Sequence, residues 1–355
     1  MAEGLDMGEM DFNPSEVLEA IAPTVMHGKS EYVVGRICFS MMFFMPADGN
    51  YSTPPRMVEA EQRVATEFPR EIYEHWVFED PYARNSKKGE TAPSLTDRLA
   101  NFMTNNETHY NGAFGGKYWV GRKDGMAPPV QFLQWYYDRV LEKESHAELD
   151  EANIFQLNIP LTVIDDLARP KFTQKLFSDL CQILQPLSAV GGLCMATPLA
   201  AILQQKQKEL ETLLPITDNH PGLLFGSAFN MSQHTRFRMS AVNWLTAIRG
   251  DLLELCGGRD GVLDTLTRPG IETAPYGDAG LLIQAGETPQ MGNLAEGVIL
   301  PHYGDVARAL RPARLHIDGG RAPHVAYYGP EATNYSDEKM WAAQNAWLAR
   351  FDEMV

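Results

Sequence analysis

The chain has 355 residues, of which 44% are apolar and 21% are charged, ordinary proportions for a soluble globular protein. Its 46 acidic residues exceed its 30 basic ones, which gives a formal net charge of −16. This charge argues against a general nucleic-acid binder and favours attraction to basic proteins. Six acidic residues lie within residues 1–28, a predicted acidic arm, and the remaining chain has 40 acidic and 30 basic residues, or −10.

The sequence predicts a cytoplasmic protein with reduced cysteines. Cys38, Cys181, Cys194 and Cys256 include no C-x-x-C pair, and their apolar neighbours indicate buried thiols rather than disulfides. The N-terminus lacks the basic and apolar regions of a signal peptide. The strongest apolar run, at 37–45, is too short to cross a bilayer. We therefore expect a soluble protein with no membrane segment.

The N-terminal half is predicted to combine strands with one helix. Residues 31–45 are apolar on both faces, which is typical of a strand buried on both sides. Residues 56–68 have helical apolar spacing, which continues through Ile72 to Trp76. Residues 130–141 and 154–164 alternate and predict the two strands of a hairpin, joined by a long acidic loop.

The C-terminal half is predicted to alternate helices and strands. Helices are expected at 170–187, from Thr197, at 245–255, at 303–310 and at 337–354, with strands at 189–196, 222–229, 237–242 and 281–285. These elements predict an α+β fold of mixed or antiparallel sheets with packed helices. The predicted division is an arm at 1–28, α+β subdomains at 29–167 and 168–330, and an amphipathic C-terminal helix at 331–355.

No sequence pattern identifies an enzyme. Neither common phosphate-binding glycine loop is present, nor is a G-x-S-x-G nucleophile elbow. His302, His316 and His324 are irregularly spaced, which indicates isolated histidines rather than metal ligands. Asp165 and Asp166 follow a predicted strand, and a helix-capping turn explains them as well as a catalytic role. We therefore expect no catalytic residue, no metal site and no cofactor.

One ordered series of residues in the C-terminal half is more specific. It comprises Asn243, Trp244, Leu245 and Thr246, then Gly257 and Gly258, the segment 281–286 (Leu-Leu-Ile-Gln-Ala-Gly), Pro289, Gly292, Pro301, Tyr303 and the segment 306–312. With the apolar strand at 33–44, this order resembles the type VI secretion immunity family over about residues 30–315. Some relatives of this size are paired with nuclease toxins of the restriction-endonuclease type.

The resemblance implies a non-catalytic antitoxin that binds a type VI effector and neutralises it by blocking its active site or the access of its substrate. A negative net charge would complement a basic nuclease. Packing explains the matched apolar and glycine residues well, so we expect them to maintain the fold. Toxin contacts are expected on exposed loops instead.

The predicted partner is a cognate effector protein, with no direct nucleic-acid or membrane binding, and the sequence leaves a homo-oligomer open. Acidic residues in and before the predicted hairpin are the candidates for toxin binding, although solvated surface charges explain the same pattern. These candidates are Glu79, Asp80, Glu142, Glu144, Glu148 and Asp150. Two alternative roles are an adaptor or chaperone that loads an effector for secretion, and an enzyme with an unrecognised site.

Overall fold

The structure is a computed structural model that describes residues 24–27, 30–46, 52–79, 84–85, 91, 93–97, 113–120, 132–138, 152–164, 169–196, 206–225, 228–231, 235, 237–316 and 337–354. Two sequence features, the Asp165–Asp166 pair and the helix start predicted at Thr197, lie outside these residues. Their roles stay predictions.

The described N-terminal residues form eight strands and one long helix, and residues 95–97 are also helical. These are β1 (Thr24–His27), β2 (Ser30–Val33), β3 (Arg36–Met45), α1 (Thr53–Ala65), β4 (His75–Glu79), β5 (Arg84–Asn85), β6 (Ala113–Trp119), β7 (Phe132–Asp138) and β8 (Asn153–Ile159). The antiparallel pairing of β7 with β8 confirms the predicted hairpin.

The described C-terminal residues alternate helices and strands, as predicted. They form α2 (Pro170–Leu184), β9 (Ser188–Ala196), α3 (Lys206–Asn219), β10 (Leu224–Phe225), α4 (Ala228–Met231), β11 (Leu245–Arg249), α5 (Asp251–Leu255), α6 (Gly258–Thr265), β12 (Ile271–Tyr276), β13 (Gly280–Ala285), α7 (Pro301–Ala309) and α8 (Asp337–Leu348).

Within the described ranges, eleven strands share one sheet. Its order is β12-β13-β11-β9-β3-β8-β7-β6-β4-β5, and β10 adds a short parallel pair to β9. All other neighbours are antiparallel. β1 and β2 form a separate hairpin. The structure therefore confirms the α+β fold, while the subdomain division stays a prediction.

Strand β3 lies between β9 and β8 near the middle of the sheet, and every one of its residues after Arg36 is buried. On one face, the ring of Phe43 packs 5.2 Å from that of Phe177 in α2. On the neighbouring strand β8, the side-chain oxygen of Gln156 accepts a hydrogen bond of 2.9 Å from the backbone of Ala228 in α4. The prediction of a strand buried on both sides is confirmed for Arg36–Met45, whereas residues 31–33 belong to the separate strand β2.

The helix predicted over 245–255 is wrong in its first half, because Leu245–Arg249 forms strand β11. This strand pairs with β9 on one side and β13 on the other, and all its residues except Arg249 are buried. A short apolar run fits a buried strand and a buried helix equally well, so its spacing could not decide. The chain turns at Gly250, whose φ is +58°, and α5 begins at the next residue.

Further predictions differ from the structure in extent. The strand predicted at 222–229 is reduced to Leu224–Phe225, and Ala228 begins helix α4. Trp76 does not continue a helix but lies in β4, after a 3₁₀ turn at Arg70–Ile72. The strand predicted at 154–164 ends at Ile159, and a 3₁₀ turn follows at Leu161–Ile164. The strand predicted at 237–242 is reduced to one bridge, from Met239 to Arg314.

The C-terminal segment packs against the core of its own chain. Trp347, Leu348, Phe351 and Met354 are buried, although the helix itself ends at Leu348. The ring of Phe351 lies 5.4 Å from that of Tyr303 in an edge-on arrangement. The amphipathic pattern therefore reflects docking within the chain.

Candidate functional site

Five of the six residues predicted to bind a toxin lie outside the described residues: Asp80, Glu142, Glu144, Glu148 and Asp150. The sixth, Glu79, ends β4, where its backbone is in register with Gly115 of β6. The toxin-binding role of all six residues stays a prediction.

Asn243 joins two chain segments at a buried position, its own and the one that contains Gly222. Its side-chain amide donates to the carbonyl of Gly222 at 2.9 Å, and its side-chain oxygen accepts from the backbone nitrogen of Trp244 at 2.8 Å. Its backbone nitrogen donates to the hydroxyl of Thr246 at 3.1 Å. Buried polar groups that are fully bonded in this way fix the course of the chain.

The other residues of the ordered series also have structural partners. The indole nitrogen of Trp244 donates to the carbonyl of Gly286 at 2.9 Å. Gly286 has a φ of +92°, a conformation that favours glycine. The hydroxyl of Tyr303 accepts from the backbone nitrogen of Gln290 at 3.0 Å. These contacts agree with the expected role of the series in maintaining the fold.

Histidines and cysteines do not assemble into a metal centre within the described residues, since no group of three or more His, Cys, Asp or Glu could hold an ion there. A ring nitrogen of His302 lies 3.0 Å from the carbonyl oxygen of Pro269. His316 is exposed, and His324 lies outside the described residues. The four cysteines are free thiols, and burial raises the pKa of Cys181 well above its usual value, which disfavours the reactive thiolate.

A polar cleft of about 440 Å³ lies beside α1. It is lined by Glu61, Gln62, Ala65, Thr66, Arg70, Ser94, Thr96 and Asp97. Burial raises the pKa of Glu61, while the guanidinium of Arg70, 3.5 Å away, opposes this rise. The hydroxyl of Ser94 accepts from the backbone nitrogen of Asp97 at 3.1 Å and so caps a short helical turn. The proximity of Ser94 and Asp97 is therefore explained by helix capping.

Two aspartates form ion pairs that hold α7 and the C-terminal segment in place. Asp305 accepts hydrogen bonds from Arg268 and Arg308. Asp352 accepts two from Arg314, at 2.7 and 2.9 Å. Burial alone would raise the pKa of each aspartate, but the arginines outweigh burial and lower both pKa values.

These pairs predict a loss of stability in acid. The unfolded chain protonates its aspartates near pH 4, whereas the folded chain keeps Asp305 and Asp352 charged to lower pH. The stability that they contribute is present above about pH 4 and is lost as the pH falls through the lower folded-state pKa values. In urea denaturation, the unfolding free energy of Asp352→Asn should therefore fall less steeply than that of the wild type as the pH is lowered from about 5 to 3. Asp260→Asn, at an exposed position, is the control; equal slopes for the wild type and Asp352→Asn would contradict the prediction.

The stretch from α5 to the start of α7 is acidic and exposed. Residues 251–300 contain eight acidic and two basic residues, a net charge of −6. All eight acidic residues are exposed. They are Asp251, Glu254, Asp260, Asp264, Glu272, Asp278, Glu287 and Glu296. The described part of the chain thus has an acidic region of its own, far in sequence from the acidic loop at 142–150.

One loop in this stretch exposes apolar side chains. We call residues 293–299 the tip loop. Its Leu294, Val298 and Ile299 are 43%, 50% and 45% exposed, and only seven large apolar side chains of this kind occur among the residues whose side chains the structure describes. Three of the seven therefore lie within six consecutive residues. Such grouping is typical of an interaction surface rather than of scattered surface residues.

Sequence reasoning missed the tip loop because the exposure of an apolar residue depends on contacts with distant segments, which local spacing does not report. The available signal was two glycines, Gly292 just before the loop and Gly297 within it, whose φ values are +70° and +73°. Residues with positive φ mark turns, and turns lie at the surface. Apolar residues within two positions of such a turn are therefore candidates for exposure.

No helix among the described residues is long and apolar enough to cross a membrane. Among solved structures, the chain is similar to the Pseudomonas aeruginosa T6SS protein PA0821, with a TM-score of 0.72 and 17% identity over 93% of this chain and 87% of that one. At this identity the likeness shows the fold alone. No curated protein matches the chain. A family model named TsiV, described as type VI immunity for VRR-NUC, matches residues 86–351, and the chain therefore belongs to this family.

Proposed function

We propose that this protein binds a cognate VRR-NUC nuclease toxin of a type VI secretion system and neutralises it in the cytoplasm. The observation that carries the proposal is the family match over residues 86–351, since that family is described as type VI immunity for VRR-NUC. On this proposal the protein acts by occupying the toxin, and it does not itself catalyse a reaction.

Charge supports a mechanism by direct binding. A nuclease needs basic groups to hold the phosphates of its substrate. This chain carries a net charge of −16, and residues 251–300 present eight exposed carboxylates against two basic residues. Opposite charges accelerate encounter and help to set the orientation of the partners. A bound acidic protein then covers the active site or the path by which nucleic acid enters.

The test is titration of the toxin with this protein. Purified VRR-NUC toxin from the same locus should lose its nuclease activity in proportion to added protein and reach full inhibition near one-to-one stoichiometry. Co-expression should restore growth to cells that produce the active toxin. A nuclease-inactive toxin should be retained by the immobilised protein, and this retention should weaken with added salt.

Each alternative role gives a different result in the same experiment. An adaptor or chaperone would bind the toxin without restoring growth. An enzyme that reverses the damage would restore growth at amounts far below the toxin and would not reduce nuclease activity in vitro. Absence of both binding and rescue would contradict the proposed function.

A further inference from the structure

We propose that the tip loop is a docking surface for the basic nuclease partner. This inference rests on the proposed function and adds the surface that makes the contact. The tip loop combines apolar side chains with negative charge, and its shape is fixed before any partner arrives. Each of these properties is visible in the structure.

The tip loop is closed by hydrogen bonds between its ends. The backbone nitrogen of Asn293 donates to the carbonyl of Val298 at 2.9 Å, and that of Val298 donates to the carbonyl of Asn293 at 2.8 Å. Inside the loop, the side chain of Asn293 accepts from the backbone nitrogen of Glu296 at 3.3 Å. A loop held in this way loses little conformational freedom on binding.

Residues 219–222, the last residue of α3 and the three that follow it, support the tip loop. We call them the support of the tip loop. The side chain of Asn219 donates to the side-chain oxygen of Asn293 at 3.0 Å and accepts from the backbone nitrogen of Ala295 at 2.8 Å. A ring nitrogen of His220 lies 2.6 Å from the carbonyl oxygen of Gly292. These hydrogen bonds restrain the loop that carries the exposed apolar side chains.

The same support is tied to the core of the protein. Asn243 donates to the carbonyl of Gly222 at 2.9 Å, and Arg350 donates to the carbonyl of Pro221 at 2.9 Å. One contact comes from the ordered series of residues and the other from the C-terminal segment. Both parts of the fold thus fix the position of the tip loop, although neither belongs to it.

The negative charge around the tip loop indicates which kind of protein its apolar side chains bind. Residues 286–300 contain Glu287 and Glu296 and no lysine or arginine, and both glutamates are exposed. A surface of this kind repels nucleic acid and acidic proteins and attracts a basic one. A nuclease has such a basic surface where it holds phosphates. Apolar contacts within that acidic setting fit this partner better than a second copy of the same acidic chain.

The decisive experiment removes the apolar side chains and leaves the loop in place. The triple variant Leu294→Ser, Val298→Ser, Ile299→Ser should raise the Kd for nuclease-inactive VRR-NUC toxin by about tenfold or more, because the complex then buries less apolar surface. The matched control is Ile72→Ser with Val163→Ser, two apolar residues that are 37% and 47% exposed elsewhere. The control should change the Kd by less than about twofold. Circular dichroism and urea denaturation check that both variants fold.

A single charge reversal gives a second measurement that does not depend on the triple variant. Glu296→Lys should slow association with the toxin and reduce its salt dependence. Glu338→Lys, at an exposed position on α8, is the control and should keep the wild-type rate. Wild-type association rates for both variants would contradict the electrostatic part of the inference.

The outcomes separate this inference from the proposed function. If the wild type binds the toxin and the triple variant binds equally well, the tip loop is not the docking surface and the proposed function stands. If the wild type does not bind the toxin, the proposed function fails and the inference fails with it. If the wild type forms a dimer that the triple variant loses, the occupant is a second copy and the inference is overturned.

Discussion

Replacing Gly192 by alanine is expected to lower the free energy of unfolding by about 3 kcal/mol. A Cβ atom on Gly192 would lie 1.8 Å from the side-chain oxygen of Asn243 and 2.6 Å from its Cγ. Asn243 cannot easily move away, since it is fully buried and its side chain bonds Gly222 and the backbone of Trp244. Urea denaturation of the purified protein measures the loss.

A double-mutant cycle identifies the cause. Asn243→Ala alone should also destabilise, by about 2 kcal/mol, because it leaves buried backbone groups without partners. With Asn243→Ala present, a Cβ on Gly192 faces a Cβ at 3.5 Å, an ordinary contact. The two substitutions together should therefore cost less than their sum. Ser188→Ala in the same strand is the control, since the buried Ser188 hydroxyl has no hydrogen-bond partner among the residues that the structure describes. Additive losses would show that the contact between residues 192 and 243 is not the reason.

The second large effect is expected at Gly304, where alanine should destabilise the protein by about 2 kcal/mol although it is the better helix former. Gly304 lies in α7, and a Cβ there would meet the carbonyl oxygen of Met354 at 1.9 Å and that of Phe351 at 3.2 Å. The C-terminal segment must then move off α7. We expect lower unfolding free energy and faster protease cleavage within residues 337–354.

Ala307→Gly in the same helix separates this effect from simple helix weakening. It lowers helix propensity by about 1 kcal/mol without adding an atom to the contact. Its unfolding free energy should fall, while the cleavage rate within residues 337–354 should stay near that of the wild type. If Gly304→Ala stabilises the protein, as in an ordinary helix, the close contact with the C-terminal segment is not rigid.

The two predictions bear on the proposed docking surface because Gly304 and Asn243 both contact segments that hold the tip loop in place. Asn243 bonds Gly222, and the C-terminal segment that covers Gly304 contributes Arg350, which bonds Pro221. The support then holds the tip loop through Asn219. Packing far from the tip loop therefore determines the position of its exposed apolar side chains.

The sequence predicted those features that depend on composition and on local spacing. The continuous apolar run in β3 indicated a strand buried on both faces, and the stripe of α2 indicated a helix beginning at Pro170. The ordered series from Asn243 to Pro312 indicated the family, which the match over residues 86–351 confirmed. None of these features requires knowledge of distant contacts.

The tertiary structure was needed for those features that depend on contacts between segments far apart in the chain. Leu245–Arg249 became a strand because β9 and β13 bury both of its edges, and no local signal reports such pairing. Leu294, Val298 and Ile299 resemble core residues in the sequence, yet the bonds from Asn219 hold their loop at the surface. By itself the sequence determined the α+β class, the acidity and the family. Strand pairing and the identity of the exposed apolar residues came from contacts between segments that lie far apart in the chain.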